Sequence, residues 1–392
     1  MLKDSGFIEE KFDKGRHNLY MGYTTKVKKS NYLSNYIKIS RYPYVDKLFQ
    51  KDNLYKYYSL KKNKFDEDFN FMPETYYYPF DKDIINSKFK DYSLDINNLW
   101  LVKPVDLCGG RGISIFKSLK TLKYSKYVIT KYVTNINLIK NKKYDIRLYI
   151  LITSLRPLKI YLYKDGLVRI AAKKYSLDIN SLGDKYIHLA NTDINKYNKD
   201  YAFPNDYNDE NANIWNLKTY QKYLKKNNMD WNNIHEKIID VIIKTILTVH
   251  EQILDKIEKE GLNERSFFNL IGFDILITEK YNPVLLEINY SPSLYIYDNL
   301  DIIIKSNLIA DTFNLVGITP FSEEMFYNKD KKININGNED DLINDAFCEF
   351  SRPKGDYELI FPLKENIDKY KKFFKDKNEI NELFWKKLKN NM

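Results

Sequence analysis

The sequence predicts an α+β fold. Short runs rich in Val, Ile, Leu, Tyr and Phe, punctuated by Gly, Pro, Asn and Asp, read as strands between residues 99 and 172 and again between 268 and 293. Between them the period changes. In "WNNIHEKIIDVIIKTILTVHEQILDKI" (231–257), Ile234, Ile238, Val241, Ile242, Ile246 and Val249 recur every three to four residues, as on one face of a long helix. Apolar residues make up 43% of the 392, enough for a sizeable core and too many for a disordered chain.

In chain order, residues 1–72 are polar and rich in Tyr and Lys. "FMPETYYYPF" (71–80) carries two prolines and opens a new unit. "LWLVKPV" (99–105) and "GISIFKSL" (112–119) read as strands around a glycine turn, and "KYVITKYV" (126–133) as a third. "YDIRLYILIT" (144–153) and "LKIYLYKDGLVRIAA" (158–172) follow, with Asp165-Gly166 expected to make a tight hairpin turn inside the latter. Residues 176–230 read as a polar loop. After the long helix, "FNLIGFDILIT" (268–278) and "PVLLEINYSPS" (283–293) return to strand character, and 330–346 reads as a flexible linker. No internal repeat is visible.

Several classes are disfavoured. The two cysteines, Cys108 and Cys348, give neither metal spacing nor a disulfide framework. The four histidines are scattered. The N-terminus lacks a signal-peptide core, and no apolar run is long enough to span a membrane, so a soluble intracellular protein is expected. A net charge of +10 favours acidic partners. No recognised RNA or DNA motif accompanies it, so no nucleic acid is expected.

Three clusters carry candidate chemistry. "WLVKPVDLCGGRGISIF" (100–116) is neither a Walker loop nor a dinucleotide fingerprint. Gly109, Gly110 and Gly112 would let backbone N–H groups approach an anion, with Arg111 as a cation, although alone the stretch favours a plain β-turn. "KKYDIRLYILIT" places Lys143, Asp145 and Arg147 on one strand face: either solvated charges on an edge or a face for anionic oxygens. Asp274, with Glu287 and Asn289 two residues apart, offers oxygen ligands suited to Mg²⁺ and phosphates; a structural ion pair reads equally well. Together and in this order, a strand lysine, a glycine flap, a basic strand and a late Asp…Glu-x-Asn set are what an ATP-grasp ligase requires. ATP is then expected between two sheet-containing lobes.

The same motifs resemble the tubulin–tyrosine-ligase-like family of ATP-grasp amino-acid ligases. "FMPETYYYP", "WLVKP…GGRGISIF", "YVITKYV", "KKYDIRLYILITSLRPLKIYLYKDGLVRIA", "YIHLANTDINKYN", "IGFDILI" and "VLLEINYSPSL" occur in family order. With weaker matches the resemblance covers roughly residues 1–318, and "FSRPKGDYELIFPL" (350–363) is similar to a C-terminal element of the family.

The resemblance implies a domain division: 1–72, a small N-terminal domain; 73–129, a central lobe with the flap; 130–318, a C-terminal lobe with the Mg²⁺ site; 319–392, a linker and extension. It implies that Lys103 contacts ATP phosphates and that Gly109 to Gly112, with Arg111, form the flap over them. Thr130, Lys131, Tyr132 and Val133 would form the adenine hinge, Thr130 standing where the family often has Gln. Lys143, Asp145 and Arg147 would face nucleotide and substrate, Arg169 the transferring phosphate and amino acid, and Asn191 the substrate. Ala190 replaces the family's threonine. Asp274, Glu287 and Asn289 would bind Mg²⁺.

The implied reaction runs through an acylphosphate to an amide bond. "HLANTDINKYN" is more similar to glutamate-adding members, so a tubulin polyglutamylase is expected, working as a monomer with L-glutamate on acidic tubulin tails. The implied location is the cytoplasmic microtubule cytoskeleton, with cilium or basal body as possible sites. Tyrosine ligation is the runner-up, glycine addition ranks lower, and an inactive tubulin-binding member is the reading from another class.

Overall fold

The computed structural model describes residues 7–9, 18–22, 37–107, 109–123, 125–318, 339–374 and 379–390. The chain begins with a parallel pair, β1 (Leu19–Tyr20) and β2 (Lys38–Ile39), then a short α1 (Val45–Leu48) and α2 (Lys51–Phe65). A four-stranded antiparallel sheet follows. Its strands β3 (Thr75–Tyr78), β4 (Trp100–Pro104), β5 (Ser114–Ile115) and β6 (Tyr127–Lys131) lie in the order β3-β6-β4-β5. Helix α3 (Lys82–Lys88) adds Ile85 to its aromatic core of Phe89, Trp100, Phe116 and Tyr127.

A larger antiparallel sheet is built on a long hairpin, β8 (Lys142–Leu155) and β9 (Leu158–Ile170), after a short β7 (Leu138–Ile139). Then come α4 (Lys185–His188), α5 (Thr192–Asn195), β10 (Ile214–Asn216), α6 (Leu217–Lys226) and α7 (Trp231–Glu260). Strands β11 (Asn269–Ile277) and β12 (Pro283–Asn289) complete the path β10-β9-β8-β11-β12. Helix α8 (Asn299–Val316) precedes α9 (Glu339–Phe350), β13 (Tyr357–Phe361), α10 (Ile367–Lys371) and α11 (Glu379–Asn390).

The period of two along β8 divides its side chains between two faces. Tyr144, Ile146, Leu148, Ile150 and Ile152 pack with the apolar stripe of α7, while Tyr149 and Leu151 on the other face join Leu300, Ile304 and Leu308 of α8. The sheet is therefore covered on both faces. On the α8 side the cover leaves the Lys143, Asp145 and Arg147 end of β8 to polar neighbours. Helix α7 begins where the Asp230 carboxylate accepts from Asn232 N–H, and ends at Gly261 with φ of 61°.

The structure differs from the sequence reading in four places. Asp165-Gly166 does not turn the chain: β9 is one strand, and the hairpin turns at Arg156-Pro157, between Leu155 and Leu158. Leu148 faces Gly166 but Ile150 faces Leu162, so β9 bulges at residues 163–165. Asp165 is turned inward there, where it accepts from Gly166 N–H (2.8 Å), Leu217 N–H (3.0 Å) and the Tyr207 hydroxyl. A Cβ on Gly166 would sit 2.5 Å from the Arg147 carbonyl oxygen, so this glycine serves close strand approach.

The polar stretch 176–230 contains α4, α5, β10 and α6. Its buried Asn195, Asn213 and Asn216 bond backbone groups, so their polarity is structural. Only Ser114–Ile115 of the expected strand 112–119 pairs. Residues 339–346 of the expected linker are helical, with Glu339, Asp340 and Asp341 in the first turn of α9 favouring its N-terminus. The rest of that linker, 330–338, lies outside the described residues, as does Cys108.

Candidate active site

A cavity of about 970 Å³ lies between the two sheets, near the upper end of the range for ligand sites. Its walls come from Lys103, Val128 and Thr130 of the small sheet, Arg147, Tyr149, Arg169 and the 285–289 stretch of the large one, Lys51 of α2, and the segment Asn191–Tyr197. Basic side chains outnumber carboxylates along it.

The centre is an ion-pair cluster on three neighbouring strands. Arg147 and Asp274 are cross-strand partners; Nε donates to Oδ1 at 2.5 Å and Nη2 to Oδ2 at 3.0 Å. Arg169 donates through Nε to Asp145 Oδ1 at 2.6 Å, and its Nη2 lies 2.9 Å from Asp274 Oδ2. Burial pushes the Asp274 carboxyl up, but Arg147 and Arg169 outweigh burial and hold it well below the usual carboxylate range. For Asp145, desolvation prevails over Arg169 and its carboxyl is raised.

Glu287 stands directly opposite Asp274 on β12. A register shift between Asp274 and Ile275 inserts Leu286 as an extra residue, which puts both Glu287 and Asn289 on the cavity wall. The Asn289 amide bridges two of these groups. With the amide turned so that both its atoms are satisfied, its oxygen accepts from Arg147 Nη2 at 3.1 Å and its nitrogen donates to Glu287 Oε1 at 3.3 Å.

Across the cavity, desolvation pulls the Lys103 ammonium down to about 8, with Glu287 raising it and Lys51 lowering it further. Lys143 is also drawn down to about 8, by burial first; its Nζ lies 4.5 Å from the Tyr132 ring centroid and 3.3 Å from the Tyr132 hydroxyl. That hydroxyl pairs with His188 Nδ1 at 2.9 Å. Lys143 and Asp145 thus sit behind the cavity wall.

The flap glycines all have left-handed backbone, with φ of 64°, 75° and 72° at Gly109, Gly110 and Gly112. A Cβ on Gly110 would stand 2.5 Å from Ile194 Cδ1 and 3.2 Å from Asn191 Oδ1, so the flap is seated on the Asn191–Ile194 segment. Gly109, Arg111 and Asn191 line the cavity.

The hinge residues divide. Thr130 is buried on the cavity wall, with its hydroxyl 2.8 Å from that of Thr75. Lys131, one residue on, points to the opposite face of the small sheet. There it lies 5.0 Å from the Trp100 ring centroid and donates to Asn98. Tyr132 and Val133 follow the strand and do not line the cavity.

Lys51, Tyr149, Asp193, Lys196, Tyr297 and Lys305 also line the cavity but were not foreseen. Of these, Tyr149 was within reach of the sequence, because it continues the alternation Lys143, Asp145, Arg147. Asp193 ties the flap side to the far rim, accepting from the Tyr297 hydroxyl at 2.6 Å and from Lys196 at 3.2 Å.

A family model described as the tubulin-tyrosine ligase family matches residues 27–325. The chain belongs to that family. It is 34% identical to human tubulin monoglutamylase TTLL4 over 291 residues, 74% of this chain and 24% of that protein. It is 34% identical to human tubulin polyglutamylase TTLL5 over 289 residues, 73% of this chain and 22% of that protein. With human tubulin polyglutamylase TTLL6 it shares 29% identity over 396 residues, 96% of this chain and 43% of that protein. The chain thus spans less than half the length of these relatives.

Proposed function

We propose that this chain is an ATP-dependent ligase that adds glutamate to tubulin through an acylphosphate. The observation that carries the reading is the Arg147–Asp274–Arg169 cluster, set beside Glu287 and Asn289 and across a cavity from Lys103. Family membership and relatives named as tubulin glutamylases support it. The reading takes the two sheets as the lobes of an ATP-grasp fold, with 73–129 as the central lobe, 130–318 as the other, 1–72 as a small N-terminal domain and 319–392 as linker and extension.

Asp274, Glu287 and Asn289 would offer a hard cation only oxygens, from adjacent strands; Glu287 and Asn289 line the cavity, while both Asp274 oxygens are engaged by Arg147 and Arg169 and would have to be shared with the ion. Mg²⁺ held there would neutralise phosphate charge. Lys103 and the flap N–H groups hold the phosphates of ATP from the other side. Arg147 and Arg169 stabilise the crowded anions as an oxygen of the acceptor carboxylate bonds to the terminal phosphorus and ADP leaves. The amine of glutamate then bonds to the acyl carbon; inorganic phosphate departs, a proton is released, and an amide results. Asn191, beside the flap, is assigned to the substrate. Thr130, on the cavity wall, is assigned to adenine.

Tubulin tails are acidic, so the chain's net charge of +10 would steer them to the protein. The site of action in this reading is the microtubule, with the enzyme as a monomer. Among the described residues no helix is long and apolar enough to cross a membrane. The test is incubation with microtubules, ATP, Mg²⁺ and each labelled amino acid in turn, with the label located by mass spectrometry. Incorporated glutamate is expected. Tyrosine alone would reassign the enzyme as a tyrosine ligase, and no incorporation would make it a binding member.

A further inference from the structure

Beyond Arg147, the same face of β8 carries Tyr149. Its side chain is fully buried and lines the cavity, yet among the described residues its hydroxyl has no hydrogen-bond partner. A buried hydroxyl left unpaired costs its full desolvation, so a group in this state points to a partner that arrives with a ligand. Its surroundings are ionic: burial raises the phenol to about 12, and Arg147, Asp301, Arg169 and Asp274 all act on it.

Two further groups at this end of the cavity come from the first turns of α8. Asp301 and Lys305 are both buried, pair at 2.6 Å and line the cavity. The Lys305 ammonium also donates to the Tyr295 carbonyl at 2.6 Å, and Asp301 Oδ2 accepts from Tyr297 N–H at 3.0 Å. Each retains capacity: one of three ammonium donors, and about two of four carboxylate lone-pair sites. Arg169 places Nε on Asp145 and Nη2 beside Asp274, and the residue lines the cavity.

We propose that this end of the cavity, formed by Tyr149, Arg169, Asp301 and Lys305, is the subsite for the free α-amino acid. Asp301 receives the ammonium, Lys305 and Arg169 the carboxylate, and the Tyr149 hydroxyl completes the set. A phosphate alone would meet the repelling Asp301 carboxylate; a zwitterion requires an anion and cations side by side. The subsite adjoins the Arg147–Asp274 cluster, so an amine held here lies next to the carboxylate that is activated there. The inference rests on the ligase reading.

Tyr149→Phe keeps the ring and removes an unpaired hydroxyl, so it is not expected to lower the melting temperature. The experiment measures KM for glutamate and for ATP in wild type, Tyr149→Phe and Lys305→Met, on microtubules. The expected result is a rise of about tenfold or more in KM for glutamate in both variants, with KM for ATP within about twofold. A glutamate KM that stays within twofold in both variants, with wild type active, overturns the subsite alone. Wild type that incorporates no amino acid overturns the ligase reading and takes the subsite with it. A purely structural role for Tyr149 or Lys305 would lower the melting temperature without separating the two KM values.

Discussion

Arg147 and Asp274 face each other across β8 and β11 and meet through both carboxylate oxygens, while Arg169 approaches the same carboxylate from β9. One buried carboxylate thus balances two arginines. Asp274→Asn would leave both guanidinium groups without that counter-charge, and an expected loss of about 3 kcal/mol follows from stranding buried charge. Glu287 carries no such duty. Glu287→Gln should unfold within about 1 kcal/mol of wild type yet fail to turn over. Urea denaturation beside a ligation assay separates the two. Normal turnover in Glu287→Gln would remove it from the metal set.

The Lys103 ammonium, at about 8, predicts a pH effect on nucleotide binding. Below that pH the lysine is charged and ready for phosphate. As pH rises through 8 the unliganded site loses the proton, and binding must take one up. ATP affinity should therefore fall above pH 8, by up to about tenfold per pH unit. Calorimetry in buffers of different ionisation enthalpy would detect the proton. Lys103→Met should bind weakly and show a flatter profile there; equal affinity in wild type and variant would exclude the phosphate contact.

His250 is buried on α7 and pairs with the Leu155 carbonyl at the end of β8, at 2.9 Å. Burial pulls its pKa down to about 4 from the ordinary 6.5, with the Leu155 carbonyl and Glu251 raising it and Arg156 and Lys61 lowering it. The unfolded chain takes up the proton first. Stability is therefore full above pH 6.5 and is lost as pH falls from 6.5 to 4. His250→Gln keeps a donor but does not titrate, so its stability should fall less steeply over that window, by up to about 1.4 kcal/mol per pH unit. Parallel pH profiles of melting temperature would contradict this.

At Gly110 the left-handed backbone and the 2.5 Å approach to Ile194 act together. Gly110→Ala would strain the turn and lift the flap from the Asn191–Ile194 segment. The expected effect is at least a tenfold rise in KM for ATP with little change in melting temperature. Gly109→Ala, with its nearest atom 3.4 Å away, should do less. Equal ATP KM values in Gly110→Ala and wild type would refute the seating of the flap.

The sequence made the core elements and the charged strand face legible because both depend on local period. α7 shows its stripe residue by residue, and Lys143, Asp145 and Arg147 alternate as a strand requires. Other features depend on partners far along the chain. Asp165-Gly166 reads as a turn until Leu217 and Tyr207, some 40 to 50 residues later, are placed on the aspartate. Residues 176–230 read as loop because Asn195, Asn213 and Asn216 spend their amides on backbone groups. Lys131 was expected beside the base, but the same alternation that puts Thr130 on the cavity wall sends Lys131 to Trp100.

The family pattern and the packing draw different borders on this chain. The family pattern stops at residue 325, yet β13 pairs with β9, and Phe361, Phe373 and Trp385 are buried in the same core as α7. Phe373 also stacks edge-on against Phe65 and Phe69, at 4.9 and 5.3 Å. A protein shortened to the recognisable pattern would bare an aromatic seam and the strand edge from Tyr161 to Tyr163, both invitations to self-association. The described residues from 339 onward thus serve as a clasp between the first helices and the large sheet.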